Sequence, residues 1–178
     1  MSLKNSHTTA SALQWDQALS LILMLERDNR PVWAVLIATG IYTGLRIGDI
    51  LKLKWEQFEQ PYIELQEGKT RKYRKITVAD DLKAVLTRNQ GTGQLVPYSQ
   101  QHINLMLHKF NREYKLNIPH FSAHSLRKTF GRHVFEVNNE SDKSLILLSE
   151  LFNHASIKTT RIYLGLREQE LQDVYSQL

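Results

Sequence analysis

Residues 43–51 read Thr43-Gly44-Leu45-Arg46-Ile47-Gly48-Asp49-Ile50-Leu51. Gly44 offers a stop to the apolar helix before it, and Ile47, Ile50 and Leu51 recur at the spacing of a new short helix. Arg46 stands at the entrance of that helix, with Asp49 three residues on, so the two are neighbours on its surface. This is the first candidate site segment.

Upstream, apolar residues crowd one helical length from Trp15 to Asp28, and a second helix is predicted after Asn29 with Pro31 near its first turn. The first dozen residues, MSLKNSHTTASA, read as loose, giving a flexible segment over 1–14. Downstream, Tyr62–Leu65 and Tyr73–Val78 are short β-prone runs separated by Glu67, Gly68, Lys69 and Thr70, the pattern of a hairpin with a polar loop. Asp80–Asn89 reads as a helix, Gln90–Gly93 as a break and Leu95–Pro97 as a third short strand. Thereafter the pattern is helical: Ser99–Tyr114, then Ser122 or His124 to about Val137, then Ser141–Phe152. After the Asn153-His154 break, Ser156 can cap a short helix that carries Tyr163, and Arg167–Gln177 is predicted to form a terminal helix beyond Gly165.

A chain of 178 residues, 42% hydrophobic and 23% charged, suits one domain with a real core. The net charge of +5 and a pI near 9.4 favour a polyanionic partner and say little about fold. With no cysteine there is no disulfide framework, no Cys-ligated zinc and no thiol nucleophile, which is compatible with a reducing cytoplasm. The greasiest run, Leu19–Leu25, stops at Glu26 far short of a bilayer span, and no signal-peptide core is present. Neither export nor a membrane partner is expected.

Six separated residues carry the chemistry: Arg46, Lys69, His124, Arg127, His154 and Tyr163. Phosphodiesters repel nucleophiles and leave poorly, so a metal-free enzyme must supply positive charge and a proton. Arginine forks bind two phosphate oxygens at once, histidine and lysine move protons, and a tyrosine hydroxyl can attack phosphorus and hold the cut strand covalently. His124-Ser125-Leu126-Arg127 places histidine and arginine on neighbouring turns; a solvated helix end with His124 as a cap would look the same. Tyr163 stands nine residues after His154. A tyrosine near a helix end also serves as a packed aromatic with a wet hydroxyl, and its attack at neutral pH needs a base or cationic neighbours.

The run Gly68-Lys69-Thr70-Arg71-Lys72-Tyr73-Arg74-Lys75 is the densest in positive charge. Lys69, Arg71, Lys72 and Arg74 within it and, on the later helix, Lys128 are candidate nucleic-acid contacts, although a solvated, phosphate-attracting patch would look the same. A P-loop fails here, because Ile63 stands where its first glycine belongs. His120 and His124 are four apart, but Phe121 replaces the glutamate a zinc protease needs, so no metal ligand is assigned. No serine elbow or dinucleotide glycine triplet is present.

Taken together, these stretches closely resemble the catalytic domain of the tyrosine recombinases, the phage integrase family, over about Trp15 to Gln177. Residues 43–51 resemble its first arginine box, His124–Arg127 its His-x-x-Arg box, and Phe152-Asn153-His154 with Thr159-Thr160-Arg161-Ile162-Tyr163 its final histidine and tyrosine. The resemblance implies an α+β fold, mainly α-helical, with a small three-stranded antiparallel sheet, the catalytic domain covering 15–178. It implies that Tyr163 attacks the scissile phosphate to form a 3′-phosphotyrosyl bond and free a 5′-hydroxyl, with Arg46 and Arg127 stabilising the transition state. Lys69 would protonate the 5′-oxygen, although Lys72 and Arg71 share its loop. His124 would serve as acid and base, His154 would donate to the phosphate, and Asp49 would support the site from behind.

The implied activity is DNA strand cleavage and rejoining without cofactor, metal or ATP, in integration or another site-specific recombination of a mobile element. The implied partner is double-stranded DNA in the prokaryotic cytoplasm, at the nucleoid. Family members commonly carry a DNA-clamping domain before the catalytic one; almost nothing precedes Trp15, so none is expected in this chain. A monomer is expected in free solution and a tetramer on paired sites, with the segment after Gly165 reaching a neighbour. Two rival readings use the same fold: a topoisomerase-like relaxer, and a DNA-binding module that no longer cuts.

Overall fold

The structure, a computed structural model, describes residues 10–166 and 174–176. In chain order it contains α1 (Trp15–Arg27), α2 (Pro31–Thr43), α3 (Ile47–Ile50), a 3-10 turn (Trp55–Phe58), β1 (Tyr62–Gln66), β2 (Tyr73–Thr77), α4 (Asp80–Arg88), α5 (Gln100–Glu113), α6 (Ala123–Val137), α7 (Asp142–Phe152) and α8 (Ile157–Leu164). The chain divides into two compact units between Thr129 and Phe130, within α6.

In the first unit α2 is the central helix. Every residue from Trp33 to Ile41 is buried, the mark of a helix covered on all sides. Around it, α1 buries one stripe, Ala18, Leu21, Ile22 and Leu25, at the i, i+3, i+4, i+7 spacing of an amphipathic helix. Ser99 caps α5 by accepting from the His102 N–H at 3.2 Å, and α5 buries Ile103, Leu107 and Phe110. Glu113 at its end takes Arg30, just before α2, in a two-bond fork of 3.0 and 2.6 Å. Gly40 lets α2 approach the start of α6: a Cβ there would lie 2.7 Å from Leu126 Cβ.

The hairpin is antiparallel, pairing Tyr62 with Thr77 through to Gln66 with Tyr73. The sheet has two strands, not the three predicted. Leu95 donates its N–H to Leu53 O at 2.9 Å and Gln94 forms an isolated bridge with Lys54, but the pairing stops there. Leu95 and Val96 are both buried, so the run lacks the alternating faces of a half-buried strand, and Pro97 has no N–H to extend a ladder.

Of the segment expected to be loose, residues 10–14 are described, and they are anchored. Leu13 is buried, its N–H donates to Thr129 Oγ1 at 2.9 Å, and the Ser11 N–H reaches Pro119 O. The expected terminal helix over Arg167–Gln177 lies outside the described residues except for 174–176, which are helical.

The second unit has its own small core of Phe135, Leu145, Leu148, Phe152, Leu164 and Leu166. Gly131 permits close packing there, since a Cβ would meet Leu164 Cδ2 at 2.7 Å and Phe152 Cε2 at 2.9 Å. Among the described residues, no helix is long and apolar enough to cross a membrane.

Candidate functional site

In the first unit the site is built on the turn between α2 and α3. Thr43 donates its hydroxyl to Thr39 O at 2.6 Å and accepts the Leu45 N–H at 3.3 Å. Gly44 then takes a left-handed φ of 61°, a conformation that costs glycine nothing. The reversal leaves Arg46 extended at the N-cap of α3, its carbonyl accepting from the Asp49 and Ile50 N–H groups. Arg127, buried on α6, donates from Nη1 to the carbonyl of Gly44. Two arginines distant in sequence are thus tied to one short turn.

Glu67, the first residue after β1, is buried and completes this arrangement. Its Oε2 accepts from Arg46 Nη1 at 2.9 Å and from the Thr70 hydroxyl at 2.5 Å, and its Oε1 accepts from Arg74 Nη1 at 2.8 Å. Burial alone would raise its pKa; the Thr70 hydroxyl and the Arg74 and Arg46 cations outweigh that and hold it at about 2. Glu67 is therefore an ionised carboxylate at any physiological pH. Asp49 secures the same loop from α3, its Oδ1 accepting the Gly68 N–H at 2.8 Å. Lys69 follows directly and is exposed at the tip of the hairpin.

His124 lies in the first turn of α6. Its ring reaches solvent, yet its packed side and the charges of Arg127, Lys128, Arg46 and Lys69 push its pKa below the ordinary histidine value. The imidazole is thereby kept neutral, able to accept a proton.

The second unit carries His154 and Tyr163. Asn153 ends α7 in the left-handed region at φ 54°, and the His154 N–H turns back to Ser149 O at 2.9 Å, which sets the histidine just past the helix end. Ser156 caps α8 by accepting the Thr159 N–H. One turn into α8, buried Thr160 places its hydroxyl 2.9 Å from His154 Nδ1. Tyr163 follows three residues later, its ring edge-on to His154 with centroids 5.2 Å apart and to Phe152 at 5.4 Å. Its hydroxyl oxygen is shielded from solvent.

The structure thus gathers Arg46, Asp49, the Lys69 loop, His124 and Arg127 within the first unit, and His154 with Tyr163 within the second. Among the expected DNA contacts, Lys69, Arg71 and Lys72 are exposed. Arg74 is engaged with Glu67, and Lys128 is buried in α6. Sequence reasoning missed Glu67 and Thr160. The signal for Glu67 was its place as the acidic residue that leads the basic run of 68–75; Thr160 lies three residues before Tyr163, on its helical face.

The chain belongs to the phage integrase family, whose family model matches residues 12–170. It is 27% identical over 162 residues to the Bacillus subtilis protein YoeC, described as a probable integrase/recombinase, covering 85% of this chain and 86% of that one. The integrase of Escherichia phage P2 is 25% identical over 178 residues, 98% of this chain and 48% of the relative. The chain therefore spans most of the first relative and about half of the second. Among solved structures, XerA recombinase superposes with a TM-score of 0.69 at 23% identity, covering 95% of this chain and 65% of that one. The catalytic domain of bacteriophage HP1 integrase gives 0.62 at 19% identity, covering 88% of each chain. These likenesses establish the fold.

Proposed function

We propose that this chain is a site-specific DNA recombinase or integrase that cuts and rejoins double-stranded DNA through a 3′-phosphotyrosyl bond. The observation that carries the reading is the tie of Arg46 and Arg127 to one turn, which presents two guanidinium groups from a rigid support. The planar, multi-donor fork of a guanidinium suits the non-bridging oxygens of a phosphodiester. The depressed pKa of His124 supports its role as proton acceptor.

In the proposed step the Tyr163 oxygen bonds to phosphorus as the bond from phosphorus to the 5′-oxygen breaks. The tyrosine proton passes to His124, and Lys69 gives a proton to the departing 5′-oxygen. His154 donates to a phosphate oxygen, and Asp49 holds the loop. The arginines and lysine supply the positive charge, so the step is written without metal. Because one phosphate ester replaces another, a 5′-hydroxyl from a second strand reseals the break without ATP. Lys69, Arg71 and Lys72 are the proposed backbone contacts of the hairpin. We place the enzyme in the prokaryotic cytoplasm at the nucleoid, monomeric when free and tetrameric on paired sites.

A non-cleaving DNA-binding module is the weaker reading, since binding needs neither a placed tyrosine nor groups to move its proton. The test is covalent trapping on nicked duplexes drawn from DNA flanking the gene and from an unbiased pool, with wild type beside Tyr163→Phe on a denaturing gel. The nick lets the short cleaved piece diffuse away. A slow-migrating adduct that requires Tyr163 supports the enzyme; firm binding with no adduct on any duplex overturns it.

A further inference from the structure

We infer that Glu67 is a positioning residue that couples Arg46 to the hairpin loop bearing Lys69. The inference rests on the strand-cleavage reading above and adds to it a residue that touches neither phosphate nor nucleophile.

A carboxylate whose side chain is 2% exposed loses its hydration and is retained only where cations and donors replace it. Glu67 has three such donors from three places in the chain: Arg46 at the start of α3, Thr70 in the loop and Arg74 on β2. The last two belong to the hairpin and the first to the turn that Arg127 also grips. The backbone of Glu67 fastens the loop as well, its N–H donating to Lys72 O at 2.9 Å and its carbonyl accepting the Arg71 N–H at 3.0 Å. Lys69 lies between residues held in this way, with Gly68 bonded to Asp49 on one side and Thr70 bonded to Glu67 on the other.

A lysine on a hairpin tip and an arginine on a helix start have no intrinsic reason to keep a fixed separation. The Glu67 carboxylate supplies one, since a single oxygen, Oε2, accepts from both Arg46 and Thr70. Moving the loop therefore moves the arginine, and a phosphate that draws on Arg46 also tugs the loop.

Glu67→Gln keeps the shape and removes the charge. It is expected to bind DNA as wild type does and to cleave about tenfold to a hundredfold more slowly at saturating DNA, the scale on which small misplacements of catalytic groups act. Two substituted scissile groups separate the causes. A methylphosphonate lacks the negative charge that Arg46 neutralises, and a 5′-bridging sulfur leaves without needing the proton of Lys69. The expected result is that each substrate recovers part of the Glu67→Gln defect, whereas Arg46→Ala responds only to the methylphosphonate and Lys69→Ala only to the sulfur.

Unchanged cleavage by Glu67→Gln, or an equal loss on all three substrates, overturns the coupling. Should Glu67→Gln fail to fold by circular dichroism, Glu67→Asp, which keeps the charge with a shorter reach, is judged by the same criteria. Wild type is run alongside throughout: a wild type that forms no adduct sinks the cleavage reading itself, while an active wild type with indifferent Glu67 variants sinks only this inference.

Discussion

Arg127 donates to the carbonyl of Gly44, two residues before Arg46. An arginine from α6 thus serves as a strut for the turn that presents the other arginine. Its fork has several N–H donors, so one can hold protein while others meet a phosphate; an ammonium is a point charge without that division of labour. Arg127→Lys is accordingly expected to fold but to lose at least about a hundredfold in single-turnover cleavage, as removal of one transition-state donor does elsewhere. Cleavage within a few fold of wild type would reject the strut.

Gly40 and Gly48 make a matched pair. Glycine to alanine in a helix ordinarily stabilises by up to about 1 kcal/mol, and at Gly48 an added Cβ meets nothing within 4 Å. At Gly40 it would lie 2.7 Å from Leu126 Cβ, and forcing the helices apart costs about 1–3 kcal/mol. Urea unfolding should therefore place Gly48→Ala at or above wild type and Gly40→Ala clearly below it; the reverse order would contradict the tight crossing.

Much of this was legible in the sequence because the determinants are local. Gly44, Pro31 and Ser156 mark helix ends by chemistry that acts within a few residues, and the burial of α2 follows from an apolar run with no polar face. The third strand was misread for the same reason: Leu95–Pro97 has β-prone residues, but whether a ladder forms depends on a partner, and Leu53 offers only one bond. Arg46, His124 and Arg127 stand out in the sequence by their boxes. Glu67 does not, since its importance lies in meeting Arg46, twenty-one residues earlier, and Arg74 on the opposite strand. Long-range pairing of this kind leaves only a charge pattern behind. Lys128 misled in the other direction, as a cation next to a basic box that the fold buries.

Glu67 makes the folded protein sensitive to acid. Its carboxyl is held at about 2, against an ordinary value of 4.5, so the folded state binds its proton less readily than the unfolded chain. The stabilisation is complete above the unfolded value and is lost as pH falls from about 5 towards 2, amounting to about 3 kcal/mol at most. Over that range the urea midpoint of wild type should fall more steeply than that of Glu67→Gln, which has no proton to take up. Parallel curves would show that the carboxylate is not held as described.

His124 adds to this acid sensitivity from a different cause. Its pKa is lowered in the folded protein, so the unfolded chain binds the proton first and stability declines as pH drops below the ordinary histidine range. The same shift keeps the imidazole neutral at lower pH. The acidic limb of the cleavage rate against pH should therefore lie below the value of a free histidine, and it should vanish in His124→Gln, which would cleave slowly with a flat profile there. An acidic limb unchanged by that substitution would assign the titration to another group.

Thr160 is the hydroxyl partner of one nitrogen of His154. The hydroxyl lies 2.9 Å from Nδ1 in a buried position, so that end of the ring is engaged by the protein. When the hydroxyl donates, Nε2 carries the proton and can donate to a phosphate oxygen; when it accepts, that proton sits on Nδ1 and the donation is lost. Thr160→Val keeps the volume but removes the partner, leaving a polar nitrogen beside a methyl group, whereas Thr160→Ser keeps the hydroxyl on a smaller side chain. Cleavage should fall about tenfold in the valine variant, the size of one lost neutral hydrogen bond in a rate, and stay near wild type in the serine variant. Nitrogen-15 chemical shifts of His154 provide the reading that simple destabilisation would not move. Wild type and the serine variant should show one dominant tautomer protonated at Nε2, and the valine variant a mixture. A valine variant that keeps the wild-type tautomer, or a serine variant as slow as valine, would remove the hydroxyl from this role and leave Thr160 as packing alone.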